Sequence, residues 1–306
     1  MLPYRPLESA QTARLAAFSL TMLAALTEFP KTSAAAVFGV DDRRTLSSAE
    51  AAIADKIGTL VSTETGAYCT AFCVAPDVIA TASHCLFGTA VTSAPKLSGL
   101  VFRLASTPQS HAATPLATVG RALHSKPIQS GTTRLSVAPP IGAAQDWAVA
   151  RLASPACKSG GLKLSTLPIS QIRIAADKGN IYEIAVHADL PDTLLRYGGP
   201  CAIQISFPSA GEDIIARDFA APQSILFHTC DTGGGSSGSP LLIDTPTGPE
   251  VVGINVGTYV LSRAVTTSET SDAPAKSEPI ANTAIWIAAI ATAAQQLSEA
   301  PNPIYP

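Results

Sequence analysis

Residues 233–240 read Gly-Gly-Gly-Ser-Ser-Gly-Ser-Pro and lead directly into the apolar run Leu-Leu-Ile at residues 241–243. A flexible Gly/Ser linker is the plain alternative, but a linker is rarely followed at once by proline and a strand. Glycines around a serine let the backbone turn tightly, so that the N–H groups of Gly235 and Ser237 can point at one spot and stabilise an oxyanion. The stretch therefore favours a tight functional turn that opens a β-strand.

A histidine ends a second apolar run. Residues 81–85 read Thr-Ala-Ser-His-Cys, which places His84 at a strand-to-loop junction. Histidine is well suited to proton transfer near neutral pH, although a lone histidine in such a place is more often structural. Cys69 begins the preceding strand and Cys85 follows His84 directly, so a bridge between them would hold the imidazole still and contribute roughly 3 kcal/mol. The flanking cysteines favour a functional histidine.

An aspartate opens a third apolar run. Residues 145–152 read Gln-Asp-Trp-Ala-Val-Ala-Arg-Leu. Alone, Asp146 is typical of a turn residue at the start of a strand. Its place in chain order, between His84 and the glycine-rich stretch, makes it a candidate functional group.

Size and composition set broad limits. The 306 residues are enough for one large domain or two small ones with a sizeable core. With 46% hydrophobic and 14% charged residues and a net charge of -3, the chain has neither the basic excess of a nucleic-acid binder nor the composition of a disordered protein. We therefore expect no nucleic-acid partner.

Residues 1–36 are typical of a secretory signal. Arg5 and Arg14 precede an apolar run at 15–26, and small residues follow at 33–36. The run is shorter than the about 20 apolar residues of a membrane span. We expect export to the periplasm or the cell exterior, cleavage of the signal, and no stable membrane insertion afterwards.

The mature chain has two expected features. Cleavage after Ala36 would make Val37 its first residue, a hypothesis that rests on the alanine-rich site. The six cysteines fit an oxidising compartment and favour three disulfides, for which about 15 pairings are possible.

From Ala67 onward, short apolar runs rich in valine and isoleucine are bounded by Gly, Pro, Ser or Thr. This pattern favours an all-β domain, and the segment 154–167 is expected to connect two halves. Residues 262–279 predict a surface loop, after which Asn282 is expected to cap a helix. The predicted helix carries on one face Trp286, Ile290, Ala293 and Leu297. The predicted strands span 69–74, 78–81, 100–104, 147–152, 202–207, 225–229, 240–243 and 251–259.

Together these residues resemble the chymotrypsin-like serine protease family. Its order is His, Asp, Ser, and its signatures T-A-A-H-C, D-hydrophobic-A-hydrophobic and G-[DN]-S-G-[GS]-P are similar to residues 81–85, 146–149 and 235–240. The Gly-Ser-Pro ending and the sequence Val-Phe-Gly-Val-Asp-Asp-Arg at 37–43 look more like the bacterial glutamyl-endopeptidase branch than trypsin.

The resemblance implies a role for each motif. Ser237 would be the nucleophile, His84 the general base and then acid, and Asp146 the group that orients His84. The amides of Gly235 and Ser237 would form the oxyanion hole. Polypeptides would be the substrates, and we expect a monomer.

The resemblance also implies the architecture: two six-stranded antiparallel β-barrels followed by a C-terminal helix. We assign the first barrel to residues 37–157, the second to 158–279, and the helix and tail to 280–306. Two disulfide pairs are implied, Cys69–Cys85 and Cys201–Cys230, which leaves Cys73 and Cys157 bridged or free. No metal or organic cofactor is expected, because the remaining histidines lack metal-ligand spacing: His111, His124, His187 and His228.

Substrate preference stays open at this point. Asp231 lies six residues before Ser237, where an aspartate in trypsin-like enzymes selects Lys or Arg, but Gly233 replaces the cysteine that staples their pocket. Asp-Thr, as at Asp231 and Thr232, also occurs here in some glutamyl endopeptidases. Those enzymes carry a histidine where this chain has the neutral Asn255. Asp231, Thr232 and Asn255 are the pocket candidates.

Three other interpretations of the same residues differ in the nucleophile or in the class of function. Residues 234–238 fit the G-x-S-x-G elbow of α/β-hydrolases with Ser236 as nucleophile, but those enzymes place a histidine after the serine and none follows Ser237. Residues 231–233 resemble an aspartic-protease loop, yet the Asp-Thr pairs at 192 and 244 lack the required glycine. A catalytically inactive protease fold used for binding is the alternative from another class, and the complete set of motifs argues against it.

The residue before Ser237 departs from the trypsin pattern. It is Ser236, where trypsin-like enzymes carry an aspartate that pairs with the new N-terminus after activation. That ion pair cannot form in this chain.

Overall fold

The computed structural model describes residues 36–105, 113–120, 125–261 and 278–299. Residues 1–35 of the predicted signal, most of the predicted surface loop, the C-terminal tail, His111 and His124 lie outside the described residues. In chain order the strands are β1 (Arg44–Thr45), β2 (Ile57–Ser62), β3 (Tyr68–Ala75), β4 (Val78–Thr81), β5 (Leu100–Leu104), β6 (Thr114–Pro115), β7 (Ile128–Ser130), β8 (Ala148–Arg151), β9 (Lys163–Leu164), β10 (Ile181–Ala185), β11 (Arg196–Gly198), β12 (Ile203–Gln204), β13 (Ile225–His228), β14 (Pro240–Ile243), β15 (Glu250–Leu261) and β16 (Glu278–Trp286). The helices are α1 (Ser48–Ala54), α2 (His84–Phe87), α3 (Ile169–Asp177), α4 (Glu212–Asp218) and α5 (Ala288–Glu299).

The first sheet has seven strands in the order β6-β5-β2-β3-β4-β8-β7. A bridge between Leu116 and Leu152 connects the chain after β6 to the chain after β8, at the other side of the sheet. The strands are rich in apolar residues that pack inside the sheet, among them Ile57, Phe72 and Phe102, all fully buried. Burial of such side chains stabilises the sheet by about 1.5–3 kcal/mol each.

The second sheet has nine strands, eight of them in the order β1-β11-β10-β14-β15-β16-β13-β12, with β9 pairing parallel to β15. Strand β14 lies between β10 and β15 and is buried along its length, which explains its uninterrupted apolar run. Pro240 is its first residue, a place where the missing N–H is tolerated.

The predicted all-β architecture with a C-terminal helix is confirmed. If the two-residue strands β1, β6, β9 and β12 are set aside, each sheet has six strands. One of the short strands crosses the predicted boundary between halves: β1 comes from the N-terminal part but pairs with β11 in the second sheet.

The prediction that Asn282 caps the C-terminal helix is wrong. Asn282 lies inside β16, opposite His228 and Thr258, where its buried amide donates to the carbonyl of Cys230 at 2.7 Å. A polar residue with such partners fits a strand as well as a helix end. The helix α5 begins at Ala288 and buries Ile290, Ala293, Ala294 and Leu297. Within the described ranges, no helix is long and apolar enough to cross a membrane.

Candidate active site

His84 lies just after the buried strand β4. The strand is buried because β3 and β8 flank it on both sides, and the chain leaves the sheet after Thr81 into α2, which begins at His84. A disulfide joins Cys69 on β3 to Cys85 in α2. The bond therefore fixes the backbone next to His84 to the neighbouring strand, as the sequence implied.

Asp146 reaches His84 because β4 and β8 are paired. Their antiparallel register places Thr81 opposite Ala148, so both chain ends leave the sheet together. Oδ2 of Asp146 is 2.6 Å from Nδ1 of His84. Oδ1 accepts hydrogen bonds from the His84 backbone N–H and the Ser83 hydroxyl, both at 2.8 Å. Asp146 is fully buried, and these donors compensate its removal from water.

The pKa of His84 lies above its usual value. Burial alone favours the neutral ring and lowers this pKa, but the negative charge of Asp146 and the hydrogen bond to its carboxylate outweigh burial. Because Asp146 binds Nδ1, the other ring nitrogen, Nε2, is the one left for proton transfer.

The glycine-rich loop, residues 233–239, packs Ser237 against the first sheet. Gly235 and Gly238 have φ angles of 91° and 87°, a region that favours glycine. A Cβ at Gly238 would collide with the Thr70 carbonyl and the Thr81 hydroxyl. Any other residue there would push the loop away from β3 and β4, and with it Ser237 away from His84.

Thr70 on β3 connects the first sheet to the glycine-rich loop. Its backbone N–H donates to the carbonyl of Ser237 at 2.9 Å, and its hydroxyl donates to the carbonyl of Gly235 at 2.9 Å. No sequence pattern indicates this role, because a threonine within a strand is common and Gly235 is 165 residues away.

The backbone amides of Gly235 and Ser237 are available as donors. The neighbouring amides are engaged: that of Ser236 donates to the Gly233 carbonyl at 3.1 Å, and that of Gly238 donates to the Asn255 carbonyl at 2.7 Å. In the described part of the chain, no group accepts a hydrogen bond from the amide of Gly235 or Ser237. An oxyanion hole requires donors of this kind.

A buried hydrogen-bond chain holds Ser236. The amide of Asn255 donates to the Ser236 hydroxyl at 3.1 Å and to its carbonyl at 3.4 Å. Oδ1 of Asn255 lies 3.3 Å from Nε2 of His228, whose Nδ1 accepts from the Cys230 amide at 3.3 Å. Burial lowers the pKa of His228 to about 4, so the ring is neutral and Nε2 carries the proton. An uncharged chain thus fixes the residue before Ser237, where trypsin-like enzymes use an ion pair.

Glu183 on β10 is a buried acid next to the end of the loop. Its Oε1 accepts a hydrogen bond from the Ser239 hydroxyl, and burial raises the pKa of the carboxyl to about 8. Its carboxyl is therefore mostly protonated at neutral pH and adds little negative charge behind the loop.

The three pocket candidates occupy different places. Thr232 and Asn255 line the cleft beside the glycine-rich loop, but the structure does not bring Asp231 into it. Oδ1 of Asp231 accepts a hydrogen bond from the Phe38 amide at 2.7 Å, and Oδ2 accepts one from the Asp42 amide at 3.0 Å. Sequence spacing could not reveal this orientation, because these partners precede Asp231 by 193 and 189 residues.

The cleft has a volume of about 480 Å³ and contains both His84 and Ser237. It thus combines a histidine held by a carboxylate, a serine in a glycine-rich turn and two unengaged amides. Its lining is Ala36, Tyr68, Cys69, His84, Thr232, Gly233, Gly234, Gly235, Ser236, Ser237, Asn255, Gly257, Thr258, Val260 and Pro279.

The cysteines form three disulfides. Besides Cys69–Cys85, the bonds are Cys73–Cys157 and Cys201–Cys230. Cys69, His84 and Cys85 lie close enough to suggest a metal site, but the two sulfurs are bonded to each other and offer no thiolate.

The chain is similar to known peptidases. A family model described as a trypsin-like peptidase domain matches residues 69–254, a range that includes His84, Asp146 and Ser237. A structure of a Glu endopeptidase in complex with MPD aligns with a TM-score of 0.54 and 16% identity, over 85% of this chain and 100% of that one. This likeness shows the shared double-barrel fold.

A thermostable serine protease AL20 from an extremophilic microorganism aligns with a TM-score of 0.49 and 17% identity, over 83% of this chain and 100% of that one. No curated protein sequence matches the chain.

Proposed function

Because the chain belongs to the trypsin-like peptidase family, we propose that it is a serine endopeptidase that hydrolyses peptide bonds through an acyl-enzyme on Ser237. One observation carries the proposal. His84, bound at Nδ1 by the buried carboxylate of Asp146 at 2.6 Å, shares a cleft with Ser237 and with the unengaged amides of the glycine-rich loop.

The proposed reaction follows from these groups. Oγ of Ser237 attacks the carbonyl carbon of the peptide while Nε2 of His84 takes the hydroxyl proton, and the carbonyl π electrons move to the oxygen. The amides of Gly235 and Ser237 donate to that oxyanion. The C–N bond then breaks, the leaving amine takes the proton from Nε2, and a water molecule repeats the sequence to release the acid and restore Ser237.

Asp146 contributes by position and charge. Its carboxylate fixes the proton of His84 on Nδ1 and stabilises the imidazolium that forms when Nε2 accepts a proton. The raised pKa of His84 expresses the same interaction.

We also propose that the protein is exported and acts as a monomer in an oxidising compartment, with barrels at residues 37–157 and 158–279. The three disulfides support this location, because such bonds persist outside the reducing cytoplasm. N-terminal sequencing of the exported form tests cleavage after Ala36, and a first residue beyond Arg44 would contradict it.

The test of the activity is labelling with a fluorophosphonate probe, which reacts with activated serines. The folded protein should be labelled at Ser237, and Ser237→Ala should lose both labelling and at least about 1,000-fold of peptide hydrolysis. Ser98→Ala, which removes an exposed serine, is the control and should behave as the parent. A folded protein that is not labelled would favour the inactive binding fold, and labelling at Ser236 would favour the other hydrolase mechanism.

A further inference from the structure

The carboxylate of Asp231 is fully used by the N-terminal segment, residues 36–43. Each of its two oxygens accepts a backbone N–H, from Phe38 at 2.7 Å and from Asp42 at 3.0 Å. Its exposed fraction is 2%. A carboxylate that selects a cationic side chain must present an oxygen to that side chain, and the orientation of Asp231 prevents this.

The buried cation of Arg43, which lies beside Gly233, is also neutralised. Arg43 binds Asp189 through two hydrogen bonds, at 3.0 and 2.7 Å, and Asp41 at 2.7 Å, and its side chain is 2% exposed. Its guanidinium lies behind Gly233, where an added Cβ would be 3.0 Å from its NH1 atom. Two carboxylates therefore hold this charge outside the cleft.

Asn255 lines the cleft, but both ends of its side-chain amide are already engaged in hydrogen bonds. Its exposed fraction is 1%, its amide donates to Ser236, and its carbonyl oxygen faces His228. Among the other described lining residues, Thr232, Thr258, Val260 and Pro279 have small, uncharged side chains. The titratable side chains of the described lining are those of His84 and Tyr68. Burial raises the pKa of the Tyr68 phenol above its usual value, so this ring is uncharged at neutral pH.

We propose that this cleft accepts an uncharged side chain on the residue before the scissile bond, and that Asp231 anchors the N-terminal segment instead of selecting Lys or Arg. The inference rests on the proposed peptidase activity. A charged side chain would lose its water in the cleft without gaining an ionic partner among the described lining side chains, which is unfavourable. An alanine, valine, threonine or glutamine side chain carries no such penalty.

The first experiment separates this inference from the proposed activity. One sample of the folded protein is treated with the fluorophosphonate probe. A separate, untreated sample is given peptides that differ only in the residue before the scissile bond: Ala, Val, Thr, Gln, Lys or Glu. We expect labelling, and a kcat/KM for the best uncharged peptide at least about 100-fold above those for Lys and Glu. Absence of labelling in the folded protein refutes the proposed function itself.

Labelling together with the opposite preference overturns only the inference. Preference for Lys would mean that Asp231 turns into the cleft. Preference for Glu would mean that a positive group other than the described lining side chains enters the cleft, namely the α-amino group that cleavage after Ala36 would create on Val37.

Asp231→Asn provides a second readout. An amide cannot accept both backbone N–H groups, so the N-terminal segment should loosen and kcat/KM should fall by the same factor for every peptide. The ratio between the Ala and Lys peptides should stay within about twofold of the parent. A selective loss on the Lys peptide would overturn the proposal.

Gly257→Asp tests the cleft independently of Asp231. Gly257 lines the cleft, and a Cβ there would meet no atom within 4 Å, so a carboxylate can be added without a clash. The ratio of kcat/KM for the Lys peptide over the Ala peptide should rise at least about tenfold. Ile174→Asp, which adds the same charge at an exposed position of α3, is the control and should leave that ratio unchanged. If Gly257→Asp reacts with the probe in a separate sample but its ratio is unchanged, the assignment of the cleft is refuted.

Discussion

At the level of single residues, the carboxylate of Asp146 does two separate things. One oxygen binds Nδ1 of His84, and the other binds the backbone of His84 and the hydroxyl of Ser83. Asp146→Asn should preserve the fold but present an amide N–H to His84, which favours the wrong tautomer. We expect kcat/KM to fall by about 1,000- to 10,000-fold near neutral pH, measured with circular dichroism as a check on the folded fraction. A loss below tenfold would mean that another group orients His84.

The pH profile of the parent protein tests the same interaction. Catalysis needs neutral His84, so kcat/KM should rise with pH through the pKa of this residue, which lies above its reference value of 6.5. Removing the negative charge in Asp146→Asn takes away the interaction that raises this pKa, so the midpoint of the residual activity should move to lower pH. A midpoint that is the same in both proteins would show that His84 is not the titrating group.

Asn255 is expected to act as a positioning residue through Ser236. Asn255→Ala removes both hydrogen bonds to Ser236, so the loop that carries the amides of Gly235 and Ser237 should hold its geometry less well. We expect kcat to fall about tenfold or more with a change in KM below threefold. Asn180→Ala, an exposed asparagine, is the control. A rise in KM with unchanged kcat would instead assign Asn255 to substrate binding.

Residues differ in how far the sequence can predict them. His84 and Ser237 are recognisable because their local neighbours, cysteines in one case and glycines in the other, have specific uses. The orientation of Asp231 and the role of Thr70 depend on partners more than 160 residues away in the chain. No local pattern carries such information, so these two features emerged only from the fold.

At the level of elements, the predicted strands at 78–81, 100–104 and 240–243 coincide with β4, β5 and β14. Each is an apolar run with clear breaks at both ends. The two-residue strands β1 and β9 went unpredicted, because two residues show no periodicity and their pairing depends on the rest of the sheet. The buried Asn282 misled the prediction of β16, since asparagine is typical of helix caps.

Strand β3 is the element that holds the glycine-rich loop against the first sheet. Thr70→Val keeps the shape of the side chain but removes the hydroxyl that donates to Gly235 and accepts from the Val186 amide. We expect kcat/KM to fall about tenfold and stability to fall by about 1–3 kcal/mol, because a buried acceptor and a buried donor lose their partner. Thr59→Val on the adjacent strand β2 is the matched control for both measurements. Equal effects of the two substitutions would contradict a specific role of Thr70.

At the level of the whole molecule, the two sheets are connected by more than the chain between them. The segment that contains β1 runs from the second sheet into α1 and the first sheet. Cys157 lies beyond the last long strand of the first sheet and is bonded to Cys73 on β3. The start of the connection to the second half is therefore held against the first sheet. Both this bond and the one beside His84 start on β3, but their second cysteines, Cys157 and Cys85, are far apart in the chain.

The disulfides Cys73–Cys157 and Cys69–Cys85 should therefore contribute differently. They close separations of 84 and 16 residues, so replacing both cysteines of the longer loop by alanine should cost about 4 kcal/mol of unfolding free energy, and replacing those of the shorter about 3 kcal/mol. Only the shorter loop fixes the backbone beside His84. Denaturant unfolding measures the loss of unfolding free energy, and kcat at 25 °C measures the effect on the backbone beside His84. The Cys69/Cys85 variant should lose at least about tenfold in kcat while the Cys73/Cys157 variant changes less than threefold, and equal losses in kcat would show that both bonds act only through global stability.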